Sequence, residues 1–124
     1  MIETALGKLE FHVGFKKNDT IEFCGEMREI IIKAKAYYEE DGITEEQKNA
    51  IDKYQSNRVQ EDACVTDLVL KFDKDAKKRF IPKTLLFGRN GECALLCDDV
   101  MDPDEGIAIC IFPEKKVVSQ DDYL

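Results

Sequence analysis

Five carboxylates stand within eight residues of this chain: Asp98, Asp99, Asp102, Asp104 and Glu105. Clustered carboxylate oxygens on a flexible segment suit a hard cation such as calcium. The EF-hand arrangement is absent, because no third ligand stands two residues after Asp104 and no Glu closes the loop. Pro103 also stiffens the segment. Read as a surface, the same run is a concentrated negative field. Such fields steer encounter with a basic partner and select among partners. These five residues are the candidate partner-binding set. A divalent cation held by Asp98, Asp102, Asp104 and Glu105 is the alternative, and a solvated acidic loop that keeps strand edges apart is the plainest reading.

Other residues with chemistry to offer are less well placed. Cys93 and Cys97 have a spacing that invites zinc, but on one strand they would lie about 13 Å apart, beyond the span of one tetrahedral ion. They fit instead as core residues on the face of Leu95. Cys24, Cys64 and Cys110 bring the thiols to an odd five, all among apolar neighbours, as expected of small buried hydrophobes in a reducing compartment. His12 is the sole histidine and alternates away from an apolar face. No nucleophile or acid stands at a spacing that supports a triad with it. Gly88, Gly91 and Gly106 precede no helix, so they form no phosphate cradle. No catalytic residues are assigned, no cofactor is expected, and the chain is read as not an enzyme.

The elements that must position these groups follow from period and punctuation. Leu9, Phe11, Val13 and Phe15 alternate with polar residues, as in a half-buried strand. Lys16-Lys17-Asn18-Asp19 reads as a turn, followed by a second strand from Thr20 to Cys24 and a stop at Gly25. Residues 27–38 fit both periods, but the β-branched run Ile30-Ile31-Ile32 favours a strand. Thr44-Glu45-Glu46-Gln47 is a capping box that opens a helix, with Ala50, Ile51 and Tyr54 as its buried stripe and Asn57 at its end or kink. A second helix is expected from Glu61 to Lys78, carrying Val65, Leu68, Val69, Phe72 and Ala76 inward, and Pro82 ends that region. Asn90-Gly91 between apolar runs predicts a hairpin joining Thr84–Phe87 to Glu92–Cys97. The apolar run Gly106–Phe112 suits a central strand buried on both faces, and Lys116–Ser119 a last short strand. The fold class is α+β: a mainly antiparallel sheet, β-β-β-α-α-β-β-β-β, with two helices on one face, in a single domain spanning residues 1–124.

Charge narrows the partners. The formal net charge is −8, and residues 84–124 hold nine acids against three bases. An acidic chain argues against nucleic-acid binding, which needs a broad basic footprint. The one basic stretch, Lys71 to Lys83, reads as a solvated helix face. Residues 1–20 contain no apolar leader and no apolar run is long enough for a membrane span, so a cytoplasmic location is expected.

Six motifs together resemble a family of small bacterial domains of unknown function, similar to immunity-type proteins of bacterial toxin systems. They are Ile43-Thr44-Glu45-Glu46-Gln47, Leu85-Leu86-Phe87, Asn90-Gly91, Ala94-Leu95-Leu96, Asp102 through Ile109, and Gln120-Asp121-Asp122-Tyr123-Leu124. Relatives carry an Asp-x-Glu-His-Gly run where this chain has Asp102-Pro103-Asp104-Glu105-Gly106, without the histidine. The resemblance implies no activity. It supports a small binding module, an immunity-type inhibitor recognising a basic protein surface. A metal-dependent enzyme or metal-binding protein, and a scaffold domain, are the alternatives.

Overall fold

Period-two alternation produces eight strands in a computed structural model that describes Met1–Leu124. They are β1 (Ile2–Thr4), β2 (Gly7–Phe11), β3 (Phe15–Phe23), β4 (Glu26–Ala34), β5 (Phe80–Phe87), β6 (Cys93–Asp99), β7 (Asp102–Phe112) and β8 (Lys116–Ser119). The strands lie side by side in sequence order. All neighbours are antiparallel except β4 and β5, which run parallel from Ile31↔Thr84 to Ala34↔Phe87. The crossover between them carries helices α1 (Glu45–Ser56), α2 (Arg58–Phe72) and α3 (Ala76–Arg79), and a final turn of helix, α4 (Gln120–Tyr123), follows β8. The α+β class and the mainly antiparallel sheet are as the sequence implies. No helix is long and apolar enough to cross a membrane.

The contested segment is a strand. β4 pairs with β3 over its whole length, burying Ile30, Ile32 and Ala34 and turning Ile31 outward. It stops at Ala34, leaving Tyr37 and Tyr38 outside the sheet.

Other boundaries differ from expectation as well. The first turn comes early, at His12-Val13-Gly14, where Val13 and Gly14 take φ of 54° and 105°. Glycine enters that region freely. Val13 is therefore 78% exposed and does not join the buried face. Lys16-Lys17-Asn18-Asp19, expected as the turn, lies within β3. Lys17 Nζ donates to the Leu6 carbonyl at 2.6 Å and pairs with Asp19 at 3.4 Å, so its charge is met inside the ladder. The second helix begins at Arg58 and ends at Phe72 instead of running on to Lys78. Asp73 adopts extended backbone and accepts the Asp75 N–H at 2.8 Å, a local bond that competes with helix continuation. Pro82 sits inside β5, beside a shift of register between Pro82 and Thr84, where a missing N–H is tolerated. Strand β1 and helix α4 have no counterpart in the sequence reading.

The main core lies between one sheet face and the helices. Ala50, Ile51 and Tyr54 of α1 and Val65 and Val69 of α2 close over Phe15, Ile32, Leu85, Leu95 and Ile109. Cys93 and Cys97 point into this core with Leu95. The other face of β6 and β7 buries the small side chains Ala94, Ala108 and Cys110, on which Leu96, Val118 of β8 and Tyr123 of α4 pack. Strand β7 is thus buried on both faces from Ile107 to Phe112.

Candidate functional site

The acidic run is not a loop. Asp98 and Asp99 finish β6, Asp102 to Glu105 begin β7, and Val100-Met101 form the turn between them. Asp99 stands opposite Asp102, and the Asp99 carboxylate accepts the Met101 N–H at 2.9 Å, closing the turn. Asp98, Asp102, Asp104 and Glu105 are exposed on the flanks of this hairpin. At its tip Val100 is 55% and Met101 74% exposed. The structure therefore presents an exposed apolar tip with four exposed carboxylates on the strands that lead into and out of it.

Asp99 does not belong to that exposed set. Its residue is 6% exposed, and its carboxylate receives Arg79 Nε at 3.1 Å and Arg79 Nη2 at 2.9 Å. Such forked contacts are among the stronger polar interactions proteins make. Arg79 Nη1 also reaches Asp73 at 2.9 Å, and the Arg79 carbonyl accepts the Val100 N–H at 2.9 Å. The guanidinium holds the Asp99 and Asp73 carboxyls below the usual carboxylate range. Of the candidate partner-binding set, Asp99 is a mounting for the hairpin and the other four are its display. The basic stretch expected as a solvated face supplies the clamp through Arg79.

A second support comes from α4. Gln120 Nε2 donates to the Cys97 carbonyl at 2.8 Å, where β6 departs from regular register before Asp99. A Cβ at Gly106 would lie 2.3 Å from that same carbonyl and 2.4 Å from Gln120 Nε2, so only glycine leaves room for the contact. The Gly106 and Gln120 motifs, read from sequence as family marks, are two halves of one joint.

The opposite end of β6 is held differently. The capping box forms as expected, with Gln47 N–H donating to Thr44 Oγ1 at 3.0 Å and Thr44 N–H to Gln47 Oε1 at 2.9 Å. Gln47 is fully buried, and its Nε2 donates to the carbonyls of Lys35 at 2.9 Å and Phe87 at 3.1 Å, tying α1 to the ends of β4 and β5. Arg89, in the Gly88–Gly91 turn, donates through Nη1 to the backbone carbonyls of Lys35 and Gly42 at 3.1 and 2.7 Å and to Gln47 Oε1 at 3.3 Å. A third polar node joins α1, α2 and β3. Tyr54 Oη donates to Asp62 at 2.5 Å, and Arg58 donates to the Thr20 carbonyl at 2.6 Å. Burial, above all, raises the Asp62 carboxyl and the Tyr54 phenol.

The other candidates stay apart. His12 is exposed in its turn, and the hollow beside it is lined by Lys8, Glu10, Lys16, Lys17 and Asn18, with no cysteine or serine. No three His, Cys, Asp or Glu side chains come together as metal ligands, so Asp98, Asp102, Asp104 and Glu105 do not converge on one ion. Burial raises the Cys93, Cys97 and Cys110 thiols, which keeps them un-ionised and poor nucleophiles. Sequence reasoning missed Arg79 and Gln120 as the groups that set the hairpin, because both reach it from elements distant in sequence. No protein-family model, curated protein or solved structure matches the chain.

Proposed function

We propose that this protein is a cytoplasmic protein-binding module of the immunity-inhibitor type, and that the β6–β7 hairpin recognises a basic partner surface. One observation carries the reading: an exposed Val100-Met101 tip stands between Asp98, Asp102, Asp104 and Glu105 on a hairpin fixed from below by Arg79 and from the side by Gln120. An apolar point with a charged rim is the usual anatomy of a recognition surface. Rigid mounting lowers the ordering cost of association. The likeness of the sequence motifs to immunity-type domains supports the same reading.

The test places a photo-crosslinking amino acid at Met101, with a control at exposed Asn57 on the α1–α2 corner, in cells that make the protein. Position 101 should capture a basic protein that position 57 does not. With that protein purified, Asp98→Lys, Asp102→Lys and Asp104→Lys together should slow association about tenfold or more and flatten its salt dependence. Equal capture at both positions, or an unchanged rate, would overturn the assignment.

A further inference from the structure

The far end of β6 carries the opposite sign. Val13, Ala36 and Tyr37 wall a hollow of about 410 Å³, and Lys33, Lys35 and Arg89 line it, with Glu92 the one acid there. Val13 is 78% and Tyr37 91% exposed, so the walls are apolar and uncovered. Lys33 stands directly opposite Lys16 on the neighbouring strand. Like charges in that position repel. Neither Lys16, Lys33, Lys35 nor Arg89 has a carboxylate within ion-pair reach. Arg89 meets only neutral oxygens. In a chain of net charge −8, this is a cationic hollow left without a counter-ion.

Its complement is on the same molecule but out of reach. Strand β6 begins at Cys93 beside the hollow and ends at Asp99 in the acidic hairpin. Seven residues of strand at about 3.3 Å each separate the two by roughly 20 Å. A copy cannot seat its own hairpin in its own hollow; a second copy can. We infer that the chain associates head to tail, the Val100-Met101 tip of one copy entering the Lys33, Lys35 and Arg89 hollow of the next. This rests on the recognition role given to the hairpin above and names a second copy as a partner with the required basic surface. The contact is heterologous: each pairing leaves one hairpin and one hollow free, so it propagates. At physiological ionic strength the Debye length of about 8 Å damps repulsion between two acidic chains while leaving charges in contact effective.

Sedimentation velocity on the intact chain tests this at protein concentrations up to about 1 mM, where weak contacts populate. The mean sedimentation coefficient should rise with concentration in about 0.15 M salt and return to the monomer value in about 1 M, where the Debye length is roughly 3 Å. Lys33→Gln with Lys35→Gln, and separately Asp102→Asn with Asp104→Asn, should each remain monomeric, with circular dichroism unchanged. An equimolar mixture of the two variants retains one intact hairpin facing one intact hollow, so it should stop at heterodimers. A monomer under all conditions, growth that survives either variant, or wild-type assembly that halts at two copies would overturn the inference. A monomer whose Met101 still crosslinks to another protein would overturn self-association alone. Growth abolished by the lysine pair but not by the aspartate pair would overturn both this contact and the hairpin's role in it.

Discussion

Arg79 and Arg89 sit at the two ends of strand β6 and make similar numbers of hydrogen bonds, yet they leave opposite fields behind. Arg79 bonds to two carboxylates, Asp99 and Asp73, so its charge is cancelled and the local balance tips negative. Arg89 bonds to two carbonyls and a carboxamide, so its geometry is satisfied while its charge persists. A guanidinium can thus anchor structure either by removing charge from the surface or by leaving it there. The hairpin end stays acidic because of the first arrangement, the hollow stays cationic because of the second.

The contrast can be broken most severely at Gln47. Gln47→Leu would leave the Thr44 N–H without its acceptor and take one of two donors from each of the Lys35 and Phe87 carbonyls, which keep Arg89 and the Lys35 N–H respectively. At about 1–3 kcal/mol for a buried group left unpaired, stability should fall by about 2 kcal/mol in urea unfolding. Asp99→Asn comes next. It keeps the shape of the clamp but removes the charge, and should lower Tm by roughly 5 °C.

The same variant sharpens the comparison through pH. The folded-state pKa of Asp99 is depressed, so its stabilising contribution is full above the unfolded value of about 3.9 and is lost as pH falls through the lower folded value. Acid unfolding of Asp99→Asn should therefore be shallower than wild type below about pH 4. Asp62 has the reverse sign. Its raised pKa means that ionisation opposes folding as pH climbs from about 3.9 to the folded value, so Asp62→Asn removes a loss on the alkaline side of that window. Arg89→Met should cost about 1 kcal/mol and leave the acid limb unchanged, because its hydrogen bonds go only to neutral oxygens. The smallest effect belongs to the display itself: Asp102→Lys and Asp104→Lys should each shift stability by no more than about 0.5 kcal/mol in the same assay.

The sequence discloses these regions unequally. The Thr44-Gln47 capping box, the Asn90-Gly91 hairpin and the doubly buried β7 are legible because each is a local pattern with one physical solution. The strand β4 is legible through its β-branched run, though not its end at Ala34. The turn at Val13 is not, because alternation continues through it and only a positive φ at a non-glycine residue breaks the strand. The break at Asp73 is hidden for a related reason: the helical stripe continues past it to Ala76, while a side chain of the helix's own terminus captures the backbone. Among the five acids, composition cannot distinguish Asp99 from Asp98. Only the pleat, which sends one inward to Arg79 and the other to solvent, separates a mounting from a display.

The single parallel ladder between β4 and β5 has a kinetic meaning. Residues 1–34 and 80–124 each form hairpins between sequence neighbours, which close quickly, but Ile31 and Thr84 must meet across the whole helical crossover. Closing that loop is an entropic barrier with no local contact to offset it. The molecule is therefore two rapidly forming meanders that wait on one seam. Within Ile31–Ala34 and Thr84–Phe87, the amide hydrogens that bond across this ladder should gain protection last in pulsed hydrogen exchange during refolding, after those bonded to β3 and β6 within the antiparallel hairpins.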